Sequence, residues 1–294
     1  MHTLETVPTQ FLKVGTESFS YRRFGETGKI PPLLCLPHYR GTMDSWDPAF
    51  LNDLASDREI VIFDNAGIGR SAGSTPDNVQ GMATTAMSIL RALGLQGIDI
   101  LGFSLGGFVA QQVIMDNPEL VRRVVLAGTG PRGGEGFSPF SDLVEHLATL
   151  PKGANGEDRL SLFFANSEAS RSAGIAYMER LDRRQTDREP HTTIEVMKAH
   201  HAAICNWGAE DRGNFDYLKA LTLPVLVTNG HSDIMIPTVN SYILQKHLVN
   251  SQLIIYPDSA HAALFQYPAL FANHVRTFFG SASEWPASGA CRRM

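Results

Sequence analysis

Short apolar runs alternate with amphipathic stretches over roughly the first 130 residues, and the alternation resumes after residue 220. Short apolar runs bounded by turn residues indicate strands, and apolar residues spaced three and four apart indicate helices. The pattern predicts strands at 11–14, 18–24, 32–37, 59–63, from residue 98, and at 121–127, 223–229 and 253–256. It predicts helices at 45–55, 79–93, after residue 104, and at 238–249 and 262–279.

Strands that alternate with helices favour an α/β fold, a mostly parallel eight-stranded sheet with helices on both faces. The alternation stops at residues 134–214, where helical periods continue without a clear apolar strand. An insert at this point lies over the carboxyl ends of the strands, so we expect a helical lid. The predicted organisation is a core of residues 1–133 and 215–280, a lid of residues 134–214 and a loose tail of residues 281–294.

The segment Gly102-Phe103-Ser104-Leu105-Gly106 lies where an apolar strand passes into a helix. A sharp strand-to-helix turn holds its central residue in a strained conformation, and glycines two positions to either side avoid side-chain collisions. The serine hydroxyl then projects above the sheet edge, beside a helix N-terminus whose free N–H groups can bind an oxyanion. Because strand and helix patterns flank the motif, we predict that Ser104 is a nucleophile rather than part of an ordinary Gly-rich turn.

A serine nucleophile needs a base within hydrogen-bonding reach and a group that orients this base. In an open α/β sheet such groups follow the carboxyl ends of strands. His261 follows the last predicted strand, and Asp233 follows the strand before it. The chain order Ser, Asp, His is the one expected of a nucleophile on a turn of this kind. We therefore predict His261 as the base and Asp233 as its orienting carboxylate.

Other residues compete for these two roles. His231 lies only two residues from Asp233, a spacing at which base and carboxylate would struggle to reach the required geometry. Asp258 is so close to His261 in sequence that it is interpreted as a turn former. His200-His201 lies on a predicted lid helix, where packing or solvent exposure is the simpler role. Asp233 itself could instead cap the helix that follows it.

An oxyanion hole needs two N–H donors aimed at one point. The first predicted donor is the amide of Leu105, directly after the nucleophile, and the second is the amide of Tyr39, in the loop after an earlier strand. We expect the substrate to contact His38 and Arg40 of that loop, together with Phe103 and Trp207. The predicted lid is rich in apolar and aromatic residues, so a largely apolar substrate body is expected.

Composition limits the classes of partner. The chain has 294 residues, and 30 Asp+Glu against 25 Lys+Arg give a formal net charge of -5, so no nucleic-acid partner is expected. Three scattered cysteines do not form a disulfide framework, and no spacing of metal ligands is present, so neither metal nor cofactor is expected. The N-terminus lacks signal-peptide features, and no apolar stretch spans a bilayer, which favours a cytoplasmic monomer or homodimer without membrane contact.

Taken together, these residues resemble the α/β-hydrolase fold superfamily over about Phe11 to Phe279, most closely its small lidded esterases and cofactor-free haloperoxidase-like enzymes. Asp64-Asn65-Ala66-Gly67-Ile68-Gly69-Arg70-Ser71 is similar to their D-x-x-G-x-G-x-S turn, whose role there is structural, so its glycines do not indicate a nucleotide site. Serine at the elbow argues against the epoxide hydrolase and dehalogenase relatives, which use aspartate there. Two positions depart from the family pattern: His38-Tyr39 replaces the usual His-Gly, and Gln266 stands near an often-found Glu.

The functional hypothesis is a serine hydrolase, carboxylesterase-like, that cleaves an ester, thioester or lactone of a small molecule through an acyl-enzyme on Ser104. The same constellation is compatible with C–C bond hydrolysis or perhydrolase and haloperoxidase-like chemistry. A non-hydrolytic lyase or isomerase with His261 as base is a further alternative, as is a non-enzymatic ligand receptor. Fold alone does not distinguish these outcomes.

Overall fold

One eight-stranded sheet organises the chain in the computed structural model, which describes residues 2–28, 30–138, 140–149, 157–211 and 213–280. The strands are β1 (Gln10–Val14), β2 (Glu17–Gly25), β3 (Leu33–Leu36), β4 (Glu59–Phe63), β5 (Ile98–Phe103), β6 (Val121–Ala127), β7 (Val225–Gly230) and β8 (Ser251–Tyr256). The described helices are α1 (Pro48–Ala55), α2 (Val79–Ala92), α3 (Leu105–Asp116), α4 (Asp142–Thr149), α5 (Glu157–Phe163), α6 (Glu168–Leu181), α7 (Ile194–Ala209), α8 (Val239–His247), α9 (Ala263–Gln266) and α10 (Pro268–Gly280). The predicted tail at 281–294 lies outside the described residues.

The strands lie in the order β1-β2-β4-β3-β5-β6-β7-β8. β2 pairs antiparallel with β1 and with β4, and every other neighbouring pair is parallel. The mostly parallel sheet and its N-terminal hairpin are therefore confirmed. Every residue of β3, β4 and β5 is buried, as expected of parallel strands that are covered on both faces.

Helices cover both faces because the connections reverse direction in the sheet. The chain moves from β3 to β4 in one direction and from β4 to β5 in the other, and right-handed crossovers then place α1 and α2 on opposite faces. α1 packs against α10, and α2 packs against α3. Within the described residues, no helix is both long and apolar enough to cross a membrane.

Within the described residues, four helices, α4 to α7, lie between β6 and β7, and we call them the insert. They occupy the stretch in which the sequence lacks a strand pattern. The N–H of Ala262, next to the predicted base, donates to the carbonyl oxygen of Phe163 in α5 at 2.9 Å. The insert therefore contacts the carboxyl edge of the sheet, and the predicted lid at 134–214 stays a prediction as to its boundaries and its movement.

Two predicted helices differ from those observed. The final helix is interrupted between α9 and α10, because Pro268 has no N–H to continue the first helix and begins the second. The helix predicted at 45–55 begins only at Pro48, where the Asp47 side chain accepts the N–H of Ala49 at 2.9 Å. Before it, Met43–Ser45 forms a short 3-10 turn.

Candidate active site

Ser104 joins β5 to α3 in a strained backbone conformation, with φ +56° and ψ −120°. Such values are rare for any residue other than glycine and persist only where neighbouring groups hold them. The Ser104 N–H donates to the Ala127 carbonyl at 2.9 Å, and its carbonyl accepts the Thr129 hydroxyl at 2.9 Å. The end of β6 therefore holds the serine at the predicted turn.

Glycine is required on both sides of this turn. A Cβ on Gly102 would lie 2.5 Å from the carbonyl oxygen of Gly106, so the turn can close only without it. A Cβ on Gly106 would collide with the carbonyl of Leu36 and lie 2.8 Å from that of Pro37. The start of α3 thus packs directly against the end of β3, which brings Leu105 beside the loop that begins at His38.

His261 and Asp233 form a buried hydrogen-bonded pair. Nδ1 of His261 lies 2.7 Å from Oδ2 of Asp233, and both side chains are fully buried. The other oxygen, Oδ1, accepts the N–H groups of Met235 and Ile236 at 2.8 and 3.0 Å. Asp233 therefore closes its own turn with one oxygen and contacts the imidazole with the other, whereas the N-cap residue of α8 is Thr238, so Asp233 does not cap the helix that follows it.

The hydrogen bond to Asp233 fixes the chemistry of the imidazole. A carboxylate only accepts, so Nδ1 of His261 carries the proton and Nε2 presents a lone pair. Nε2 is buried and has no hydrogen-bond partner among the described residues. A buried nitrogen without a partner is costly to a fold, and a substrate or the hydroxyl of a nucleophile would supply the missing partner of Nε2.

His261 packs against the same strand ends that hold Ser104. A Cβ on Gly128 would lie 2.9 Å from the His261 carbonyl oxygen and 3.4 Å from Nδ1. The ring of Phe103, next to the serine, lies 5.1 Å from the imidazole. The structure thus places Ser104, Asp233 and His261 after β5, β7 and β8 at one edge of the sheet.

The competing residues lie in other surroundings. His231 is exposed, and its Nδ1 contacts the hydroxyl of Ser232 at 3.0 Å. Asp258 has φ +44° and is exposed, and its carboxylate accepts the hydroxyl of Ser167 in the insert at 2.7 Å. Gln266 donates to the Asp258 carbonyl at 2.7 Å and accepts from the Ser170 hydroxyl at 2.6 Å. Asp258 and Gln266 therefore connect the loop of His261 to the insert.

The loop after β3 forms a tight turn. The N–H of Gly41 donates to the His38 carbonyl at 2.9 Å, and Arg40 has φ +57°. Tyr39 is buried, and this burial raises the pKa of its phenol to about 12, so the phenol is neutral at ordinary pH. The amides of Tyr39 and Leu105 remain predicted oxyanion donors.

The predicted substrate contacts fall into two places. His38 and Phe103 are buried together, with ring centroids 5.4 Å apart, beside the imidazole of His261. Trp207 lies elsewhere in the core, stacked at 5.4 Å on Phe108, and its Nε1 lies 3.4 Å from the Gly130 carbonyl oxygen. Contact of these residues and Arg40 with substrate stays a prediction.

Two residues of the insert were not assigned to the site from the sequence. The ring of Phe163 lies 5.0 Å from that of His38 and 5.7 Å from that of His261, covering both. Nothing in the sequence distinguishes Phe163 from the other apolar residues of the insert. His200 is buried, and its Nδ1 accepts the N–H of Arg40 at 3.0 Å, a role that only the packing of α7 reveals.

Comparison with known proteins defines the class. The profile of the alpha/beta hydrolase fold family matches residues 31–268, and the chain therefore belongs to this family. Within the described residues, no group of three or more His, Cys, Asp or Glu side chains is arranged to hold a metal ion.

Individual relatives agree with the family. An alpha/beta hydrolase fold protein from Chitinophaga pinensis is 39% identical, with coverage of 95% of this chain and 100% of that one, and a TM-score of 0.90. A protein of Rhizobium rhizogenes assigned as carbamate hydrolase RutD is 26% identical over 250 residues, 83% of this chain and 90% of its own. The enol-lactonase of Burkholderia xenovorans shares the fold at 17% identity, with a TM-score of 0.74 and coverage of 92% and 100%. Together they support a hydrolase of the α/β fold.

Proposed function

We propose that the protein is a serine hydrolase that cleaves a carboxylic ester, thioester or lactone through an acyl-enzyme on Ser104. The observation that carries the proposal is the buried His261–Asp233 pair at the sheet edge that also carries the strained Ser104, with Nε2 of the imidazole left without a partner among the described residues. A serine becomes a nucleophile at neutral pH only with such a base. Most buried polar side-chain atoms are hydrogen-bonded, so the open Nε2 of this oriented imidazole supports the role of a base.

Each residue has one role in the reaction. The Ser104 hydroxyl attacks the substrate carbonyl carbon, while Nε2 of His261 accepts the hydroxyl proton and then delivers it to the leaving group. Asp233 keeps the imidazole in the correct tautomer and stabilises its charged form. The N–H groups of Leu105 and Tyr39 bind the oxyanion, and each such donor typically contributes about 3 kcal/mol to transition-state stabilisation. Water, activated by the same base, then releases the acyl group.

The surroundings favour a substrate with an apolar body. The rings of Phe103 and Phe163 lie 5.1 and 5.7 Å from the imidazole and offer it apolar surface, and His38 packs against both of them. The names of the relatives, an enol-lactonase and a carbamate hydrolase, describe attack on a carbonyl group that bears a heteroatom. Both points support acyl transfer to water rather than proton abstraction alone.

A panel of aryl esters of graded chain length, lactones and thioesters tests this function. Wild type should turn over at least one class repeatedly, and Ser104→Ala should lose about 10⁴-fold or more in kcat. Ser241→Ala is the matched control, because Ser241 is also buried and its hydroxyl has no partner among the described residues. Turnover that survives in Ser104→Ala would contradict the proposal, and a single slow turnover in wild type would favour a receptor.

A further inference from the structure

Two buried carboxyl groups meet where the insert joins the core, outside the candidate active site. Asp64 directly follows β4, and Glu189 lies between α6 and α7, in residues 182–193, which we call the α6–α7 connection. A Cβ on Gly69 would collide with Oδ2 of Asp64 and lie 2.7 Å from Oε2 of Glu189, so the two oxygens face the same point. Asp64 is 1% exposed, and the side chain of Glu189 is fully buried. Two buried carboxyl groups this close do not both ionise without a large cost.

The other contacts of the pair place a proton on Asp64. Glu189 has the partners of a charged carboxylate: its Oε1 accepts from Nη2 of Arg70 at 2.8 Å, and its Oε2 accepts the N–H of Arg70 at 3.1 Å. Oδ1 of Asp64 accepts the Met43 N–H at 2.8 Å, whereas the Ser20 hydroxyl lies 3.5 Å from Oδ2, too far for a strong hydrogen bond. An O–H group at Oδ2 of Asp64 therefore donates to Glu189.

The balance of charge around the pair agrees with this assignment. Three guanidinium groups contact the cluster, and each has a carboxylate partner: Arg22 with Asp44 at 2.5 Å, Arg184 with Asp187 at 3.0 Å, and Arg70 with Glu189 at 2.8 Å. A proton on Asp64 leaves the cluster neutral, and loss of this proton leaves one buried negative charge in excess. Burial, together with the charge of Glu189, accordingly raises the pKa of the Asp64 carboxyl well above its usual range.

The α6–α7 connection is attached to the core through polar groups of the same cluster. The N–H of Glu189 donates to Oδ2 of Asp44 at 2.6 Å, and Nη2 of Arg22 donates to the Asp187 carbonyl at 3.0 Å. Opening of the connection removes Glu189 from Asp64 and admits water to the carboxyl. A solvated aspartate is ionised at neutral pH, so opening releases the proton.

We propose that the proton on Asp64 is a pH-sensitive tether, which holds the α6–α7 connection on the core and whose loss at higher pH releases that connection. Because opening releases one proton, the opening equilibrium rises by up to about tenfold per pH unit, from the ordinary range of aspartate up to the raised pKa of the folded protein. α7 begins at Ile194, shortly after Glu189, so release loosens this side of the insert. The inference uses neither Ser104 nor His261, and it stands or falls independently of the proposed function.

Amide hydrogen exchange of the full chain, followed by mass spectrometry from about pH 5 to about pH 8, tests the tether. Each rate is divided into the intrinsic rate at the same pH, which gives a protection factor. Peptides from the α6–α7 connection report local opening, and peptides from β5 report global unfolding. In wild type, protection of the connection should fall by about tenfold per pH unit and stay below that of β5 throughout.

Asp64→Asn imitates the protonated state. Its amide oxygen can accept the Met43 N–H, and its NH2 group can donate to Glu189, so protection of the connection should change by less than about twofold per pH unit. Glu189→Gln is a second variant, should Asp64→Asn fail to fold. Its NH2 group can donate to a charged Asp64, so the wild-type dependence on pH should again be lost.

Asp187→Asn is the matched control on the same connection. Although burial opposes it, hydrogen bonds from Thr9 and Arg70 lower the pKa of the Asp187 carboxyl to about 2, so this group does not titrate in the range measured. The control should keep the wild-type slope even where its overall protection is lower. Equal slopes in wild type and in both Asp64→Asn and Glu189→Gln would overturn the inference, as would a connection that is protected as strongly as β5.

Discussion

Nδ1 of His261 lies 2.7 Å from Oδ2 of Asp233, and neither side chain is exposed to solvent. This contact supports Asp233, rather than Asp258, as the carboxylate that orients the imidazole in the proposed mechanism. In Asp233→Asn an amide takes the place of the carboxylate. Where the amide NH2 faces Nδ1, it donates to this nitrogen, and the imidazole proton moves to Nε2, which can then no longer accept the serine proton. We expect kcat for an aryl ester to fall about 10⁴-fold, as for the equivalent change in a serine-protease triad.

Asp258→Asn is the control for this comparison. Asp258 accepts the Ser167 hydroxyl at the surface, so its amide should leave ester hydrolysis within about tenfold of wild type. Both variants are measured at the same pH with the same ester. If Asp258→Asn were the more damaging of the two, the carboxylate would be wrongly assigned.

A buried ion pair fastens the insert to the core. Arg180 of α6 donates to both oxygens of Asp47, at 2.8 and 2.6 Å, and Asp47 is fully buried at the start of α1. Arg180→Met leaves a buried carboxylate without its cation, and the free energy of unfolding should fall by about 3 kcal/mol. Urea unfolding measures the change.

The double variant Asp47→Asn with Arg180→Met separates the lost pair from lost packing. It no longer buries a charge, so it should recover about half of the loss or more. An Arg180→Met loss below about 1 kcal/mol would show that the pair does not hold the insert.

Asp64 makes stability depend on pH. It is buried in the turn at residues 64–71, and burial, together with the negative charge of Glu189, raises the pKa of its carboxyl well above the usual range. When the pKa of a carboxyl is higher in the folded than in the unfolded protein, its contribution to stability is fully present at a pH below the unfolded pKa. That stabilisation is lost as the pH rises through the folded pKa, by at most about 1.4 kcal/mol per pH unit.

Asp64→Asn removes this titration. The amide oxygen can still accept the Met43 N–H, which the carboxylate accepts at 2.8 Å in wild type. Relative to wild type, we expect the variant to gain stability steadily as the pH is raised above the ordinary range of aspartate. Urea unfolding of both proteins over a pH series measures the difference, and a constant or opposite difference would contradict the raised pKa.

The sequence was sufficient where chemistry is tied to local structure. The elbow at Ser104 follows from two glycines at a strand–helix junction, and His261 and Asp233 follow from the rule that functional groups succeed parallel strands. The break between two helices at Pro268 was predictable from the missing N–H of proline. The helical spacing of apolar residues at 262–279 continues across this position, however, and it indicated a single helix.

The contacts that the insert makes near the site could not be predicted from local sequence patterns. His200 reaches Arg40 across a sequence separation of 160 residues, and Phe163 covers His38 across the sheet edge. Both contacts depend on how α5 and α7 dock, which periodicity does not encode. Trp207 was chosen as an aromatic residue of the insert; it stacks on Phe108, and its contact with substrate stays a prediction.

Mass spectrometry after reaction with a fluorophosphonate tests the central claim most directly, because this probe bonds to a serine only where a base makes the hydroxyl nucleophilic. The account predicts one adduct per chain, located by peptide mapping on Ser104, absent in Ser104→Ala and strongly slowed in His261→Ala. An adduct that persists in Ser104→Ala, or a wild-type chain that stays unlabelled, would contradict it.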